Sequence, residues 1–205
     1  MSAIPKVAPP PRRAQFPEPP RVYRFSVDQY HQMIAADILG ENVRVELLDG
    51  WIIEKMTHNP PHDATISLAR RCIDQQLPMD WMLRIQSAIT LEASEPEPDV
   101  AVVRGPERRY VLAHPKPGDI AQLTEVADNS LADDRLFKGP LYAAARIPNY
   151  WIINLIDRQV EVYTQPRNGK TPRYARRRDY GEDDSVPLVI GGKEIGRIPV
   201  KDLLP

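Results

Sequence analysis

Hydrophobic residues recur along the chain with two different periods, and the changes of period divide it into elements. From Ser26 onward, Tyr30, Met33, Ile34 and Ile38 recur at helical spacing. Ser26 and Gln29 are spaced to form a capping box at the start of that helix, and Gly40 ends it. Val43 to Met56 reads as two β-prone runs about Asp49-Gly50, a dipeptide that favours a tight hairpin turn. Asn59-Pro60-Pro61-His62 reads as a break. From Asp63 to Leu77, the set Ile66, Leu68, Ala69, Ile73 and Leu77 predicts a second helix, stopped by Pro78.

Strands are predicted next at Trp81–Ile85, Ile89–Leu91, Asp99–Val103 and Ile120–Ala127. After Asp99 the run is apolar without interruption, as in a strand buried on both faces in the middle of a sheet. Asp133 to Arg146 predicts a third helix, closed by Ile147-Pro148. Tyr150–Ile156 predicts a central strand that pairs with Gln159–Thr164 through a turn at Asp157-Arg158. The rest, to Pro205, reads as short strands separated by glycines and prolines, and no internal repeat is visible. Helices alternating with strands around one sheet, with hairpins at both ends, make an α/β domain with a mixed sheet.

Composition adds a boundary and a location. Residues 1–21 carry Pro5, Pro9, Pro10, Pro11, Pro17, Pro19 and Pro20 with few apolar residues, which predicts a disordered or extended tail. Residues 22–205 then form one domain, a length that supports a proper core. The chain is 42% hydrophobic and 27% charged, as soluble globular proteins are. Its net charge of -1 advertises no polyanion partner, so a nucleic acid would need a local basic patch. The single cysteine, Cys72, has no disulfide partner and reads as a small core residue of the second helix. No apolar leader and no membrane-spanning run is visible, which with the lone thiol predicts the cytoplasm.

Candidate chemistry lies in three places. Asp99 stands at the mouth of a buried strand, Glu125 lies late in the next strand, and Lys138 lies in the helix that follows. Carboxylates at the ends of neighbouring strands bring hard oxygen ligands together, a set that suits Mg²⁺ or Mn²⁺ and a substrate phosphate. The Val126 carbonyl is placed to add a third oxygen. An ammonium nearby orients water and offsets charge on phosphorus. Glu46 is either a third acid facing the cleft or an ordinary exposed strand carboxylate. Asp134 and Lys138 also have the spacing of a solvated helical ion pair, and Tyr142, one turn on, reads best as core. His62 reads as a hydrogen-bonding residue at a helix entry, because no histidine follows at i+4 to make a zinc motif. Lys170, Arg173, Arg176, Arg177 and Arg178 form the strongest basic cluster. They read equally as phosphate contacts beside the cleft or as a solubilising hairpin balanced by Glu182, Asp183 and Asp184.

The order Pro98-Asp99, then Glu125, resembles the PD-(D/E)XK nuclease pattern, in which a lysine follows the glutamate at the second position. Here Ala127 stands there, and Lys138 is the candidate substitute. One branch matches more of the chain. Val45-Glu-Leu-Leu-Asp-Gly50, Pro98-Asp-Val-Ala-Val-Val103 and Leu123-Thr-Glu-Val126 resemble the Uma-two family of restriction-type endonucleases. So do Ser130, Asp134 with Lys138 and Tyr142, and Ile147-Pro-Asn-Tyr-Trp-Ile-Ile153, while His62 stands where that family often has a histidine. Asn154 departs from the family's usual aspartate.

The resemblance implies a restriction-endonuclease-like mixed sheet flanked by helices, with an added N-terminal helix and hairpin. It also implies a divalent metal and a DNA substrate. The site would be Asp99, Glu125 and Lys138, with Asp99 and Glu125 on the metal and Glu46, Asp134, His62 and Tyr142 in support. Cutting both strands of a duplex calls for two sites, which a homodimer would supply. Two other classes stay open: a non-catalytic nucleic-acid-binding module that keeps the fold, and a hydrolase using the carboxylate pair as acid and base.

Overall fold

The computed structural model describes residues 22–40 and 42–205. The proline-rich stretch 1–21, expected to be a tail, lies outside the described residues. Helix α1, Val27–Ala35, is capped as predicted: the Gln29 amide donates to Ser26 Oγ at 3.2 Å and the Ser26 amide donates to Gln29 Oε1 at 3.0 Å. It stops short of Gly40, because the chain turns after Ala35 and Asp37 takes a φ of 56°. Tyr30 is buried, whereas Ile34 and Ile38 of the predicted stripe are exposed.

Strands β1 (Val45–Leu48) and β2 (Trp51–Glu54) form a two-stranded antiparallel hairpin. Asp49 and Gly50 take φ values of 47° and 78°, the left-handed pair that a two-residue turn between twisted strands requires. The hairpin is separate from the main sheet. It hangs on the segment 93–97, through Gly50 N–H to Ala93 O at 2.9 Å and Glu95 N–H to Leu47 O at 2.7 Å.

Helix α2, Pro60–Asp74, begins at Pro60 and not at Asp63. The two prolines form its first turn, where a missing N–H leaves nothing unsatisfied, and Asn59 caps it by accepting from the His62 amide at 3.1 Å. Cys72 is half-buried against the core beneath this helix.

The main sheet has the order β3 (Trp81–Ile85), β4 (Val100–Arg104), β5 (Ile120–Ala127), β6 (Asn149–Asn154), β7 (Gln159–Arg167) and β8 (Arg173–Gly181). Neighbours are antiparallel except β5 and β6, which run parallel and so need a crossover. The strand expected at Ile89–Leu91 does not form. That run is buried, but its amides bond to Pro96, Pro115 and Ser94 carbonyls in the surrounding loop.

The β5–β6 crossover corrects the expectation of one regular helix. Helix α3 (Leu131–Asp133) runs into a π-helical turn, Asp134–Lys138, and then into α4 (Gly139–Ala144). Pro140 explains the widening. It has no amide to offer the Leu136 carbonyl, and its ring crowds that carbonyl. The turn opens so that Gly139 N–H reaches Asp134 O instead.

Side-chain alternation along the strands makes two cores. Val100, Val102, Val126, Trp151 and Ile153 face α2 and a terminal hairpin, β9 (Ser185–Ile190) with β10 (Lys193–Pro199). Ala101, Val103, Leu123, Ala127, Tyr150 and Ile152 face Tyr142 of α4. Among the described residues, no helix is long and apolar enough to cross a membrane.

Candidate active site

The pairing of Val100 with Thr124 sets Asp99 across from Glu125, on the face that α4 covers. Asp99 is 6% exposed. Its Oδ2 accepts from the Val126 amide at 2.9 Å and lies 3.3 Å from His62 Nε2, while Gln86 Nε2 is 3.4 Å from Oδ1. Burial pushes the Asp99 pKa up, but the His62 bond and charge, the Val126 amide and Lys138 outweigh it and hold it below the usual value. Val126 thus also enters through its amide, which fixes Asp99.

Glu125 is 3% exposed. Its Oε1 lies 3.0 Å from Lys138 Nζ and accepts from the Tyr142 hydroxyl at 2.7 Å. Burial pushes the Glu125 pKa up to about 8; Lys138 opposes this, and Asp134, Asp99 and Glu46 add to it. Tyr142 therefore does two things: it packs in the core, as the sequence suggests, and it bonds the site carboxylate.

Lys138 does not make the solvated pair with Asp134 that its spacing allows. Its Nζ turns inward, 3.7 Å from Glu46 Oε1 as well as 3.0 Å from Glu125. Burial alone would lower its pKa, but Glu125, Glu46, Asp134 and Asp99 hold it well above the ordinary lysine value, so it stays charged. Asp134 is buried, accepts from Ser130 Oγ at 2.6 Å, and is pushed up to about 6 by burial and by Asp99 and Glu46, against Lys138 and Ser130.

Ala127 shares a face with Glu125 and is fully buried in the cluster of Tyr142, Ile147 and Ile152, so the ammonium comes from the crossover and not from the strand. Glu46 is not the ordinary exposed carboxylate of one reading. It is 6% exposed, and its Oε2 accepts from the Glu97 amide at 3.1 Å.

His62 lies in the first turn of α2, where the Asn59 cap holds its amide, and so faces Asp99. Sequence reasoning does not single out His58, whose ring stacks on His62 with centroids 4.2 Å apart. The signal was the spacing: the second histidine stands four residues before His62, ahead of the helix, where a search at i+4 does not look. Burial and His62 lower the His58 pKa. For His62, burial lowers it but the Asp99 bond and charge prevail, and the net shift is upward.

These groups line a cavity of about 820 Å³ whose apolar wall includes Trp51, Ile53, Leu136 and Phe137. The basic run is divided by strand alternation on β8. Arg177 turns to Glu161 and Asp179, and Arg178 lies over Tyr180 on the opposite face. Lys170, Arg173 and Arg176 are exposed around the β7–β8 turn, and Pro172 beside them reaches the cavity. Asn154 lies outside the acidic site and donates to Glu161 and Asp157 at 2.9 Å, bonds an aspartate could not give.

The donor set fits a divalent cation. Glu46, Asp99, Glu125 and Asp134 are buried around the Lys138 ammonium, and the strained ionisation of Glu125 is what a cation would relieve. Among the described residues Glu125 Oε2 makes no hydrogen bond, and Asp99 Oδ1 has only the long contact to Gln86.

A mixed sheet with acids at the ends of neighbouring strands is the restriction-endonuclease-like fold, here extended by α1 and the β1–β2 hairpin. It is shared with a crystal structure from Anabaena variabilis, described as a "putative nuclease belonging to DUF820". That structure matches with a TM-score of 0.66 at 16% identity, over 87% of this chain and 97% of that one. The family model Uma2, described as "Putative restriction endonuclease", matches residues 27–194, and the chain belongs to this family. A comparison with curated proteins gave no match.

Proposed function

We propose that residues 22–205 act as one Mg²⁺- or Mn²⁺-dependent endonuclease domain that hydrolyses phosphodiester bonds in DNA. The observation that carries this reading is the meeting of three elements at one point: Lys138 Nζ sits 3.0 Å from Glu125 Oε1, and Glu125 lies across from Asp99. Asp99 and Glu125 hold the cation, with Glu46 as a third carboxylate beside it. A divalent cation supplies Lewis-acid polarisation of the phosphate and acidifies a water molecule.

The chain's own groups do the rest. Val126 and His62 fix one oxygen of Asp99, and Tyr142 and Lys138 fix one oxygen of Glu125. Lys138 orients the attacking water and offsets negative charge growing on the phosphate. The lone thiol accords with work in the cytoplasm. A homodimer would give each duplex strand its own site.

The test is cleavage of supercoiled, linear, flap and single-stranded DNA with Mg²⁺ or Mn²⁺. The wild type is expected to cut at least one substrate, and Asp99→Ala to cut none. Wild-type protein that cuts none of them would overturn the reading. The loss of lysine at Ala127 motivates a second reading, a DNA-binding module without catalysis. That module would bind DNA equally well in EDTA and show no cleavage. Lys138, turned onto the carboxylates, favours the first.

A further inference from the structure

His58, His62 and Asp99 present ligand atoms that all lie within 4.8 Å of one another, on the α2 side of the acidic site. Two imidazoles and one carboxylate make a donor set that takes zinc and other late first-row ions with an open coordination position. Mg²⁺ prefers oxygen and has little use for neutral nitrogen. The Asp99–Glu125 pair thus accounts for His62 only through its bond to Asp99, and leaves His58 without a role.

Further observations point to a ligand here. His62 is 9% exposed, and its buried Nδ1 has no hydrogen-bond partner among the described residues. Asp63 Oδ1 lies 3.8 Å from His62 Nδ1, placed to orient that ring as carboxylates behind metal-bound histidines do. Gln86 Nε2, 3.0 Å from His58 Nδ1, ties the first ring to the strand side of the site. Bonds of about 2.1 Å require donors no more than about 4.2 Å apart, so the present spread closes by a small side-chain rotation. His58, in the segment before α2 with its side chain 24% exposed, has room to make it.

We infer that His58, His62 and Asp99 form a second cation position, one that selects an imidazole-preferring transition ion such as Co²⁺, Ni²⁺ or Zn²⁺. It rests on the proposed nuclease reading only in sharing Asp99 with it. The protein then carries two adjoining positions of different chemistry, one of oxygens and one of mixed nitrogen and oxygen.

Co²⁺ is the probe, because its visible absorption reports its ligands and its unpaired electrons broaden nearby nuclear signals. Titrated into metal-free full-length protein, it is expected to broaden the imidazole resonances of His58 and His62 while His31 and His114 stay sharp. His58→Ala is expected to weaken Co²⁺ binding tenfold or more and leave Mg²⁺ affinity, by calorimetry, within about twofold. Broadening of neither His58 nor His62, or equal Co²⁺ binding by His58→Ala and wild type, would overturn the inference. The wild-type visible absorption, which differs between imidazole and all-oxygen ligation, decides the matter even if a variant fails to fold. Protein that binds Co²⁺ through both histidines but cuts no DNA refutes the nuclease reading and keeps this site. Protein that cuts with Mg²⁺ but leaves both histidines sharp does the reverse.

Discussion

Lys138 is the ammonium that faces Glu125 and Glu46, so its loss is felt twice. On the proposed reading, Lys138→Met leaves Glu125 and Glu46 without their counter-charge, Asp99 with His62 alone, and the water without its orienting group. DNA cleavage under single-turnover conditions is expected to fall by about 10² to 10³. Unchanged cleavage would remove Lys138 from the chemistry. A second buried acid behaves differently. Glu161 is fully buried on β7; burial would raise its pKa, but Arg135, Tyr163, Asn154 and Arg177 together hold it below the ordinary value. A folded pKa below the unfolded one contributes stability above the usual carboxylate range, and that contribution drains away as pH falls through the folded value. Glu161→Gln is expected to cost about 3 kcal/mol at neutral pH and to flatten the acid limb of stability. Urea midpoints measured from pH 6 down to pH 2.5 test this; parallel curves for the two proteins would contradict it.

At the scale of elements, the hairpin β1–β2 is the device that delivers Glu46. Its turn needs a positive φ at Gly50, and a Cβ there would stand 2.6 Å from Arg24 Cβ. Gly50→Ala is expected to cost about 1 to 3 kcal/mol and to weaken Mg²⁺ binding, read by denaturation and calorimetry. A variant as stable as wild type would show that the hairpin tolerates another turn. Much of this level was legible in the chain. β3 and β5 fall where alternation placed them, and Asp49-Gly50 makes the predicted turn. What was illegible came partly from long-range pairing and partly from local cap and proline geometry. Ile89–Leu91 has the composition of a strand, but its backbone partners are loop carbonyls. Asp133–Arg146 has a helical pattern, but Pro140 widens its second turn. Asn59-Pro60-Pro61 looks like a break because prolines usually are one; a cap turned them into a helix start.

At the scale of the whole molecule, the acids, the ammonium and the imidazoles come from β1, β4, β5, α2, the segment before α2 and the crossover, so the site forms only once these have docked. A cation that binds the folded chain alone must then stabilise all of it. At a hundredfold excess over Kd the gain is about 2.7 kcal/mol, which for a chain of this size raises Tm by about 5 to 10 °C. Calorimetric melting of wild type and Asp99→Asn with and without Mg²⁺ tests this, and a rise that persists in Asp99→Asn would place the ion elsewhere. The acidic pair and its order along the chain were readable because strand register follows from pattern. The place of Lys138 was readable only as a candidate, since a helical lysine beside an aspartate looks the same whether it points to solvent or inward. His58 was missed because its partner is defined by stacking across a helix entry, not by a periodic face.

Ala127 carries one more consequence. With the strand slot filled by a methyl group, the ammonium that faces the buried acids is held not by the ladder but by a crossover that a proline keeps wide. Such a chain can preserve the electrostatics of its acidic cleft while changing the local spelling of one strand.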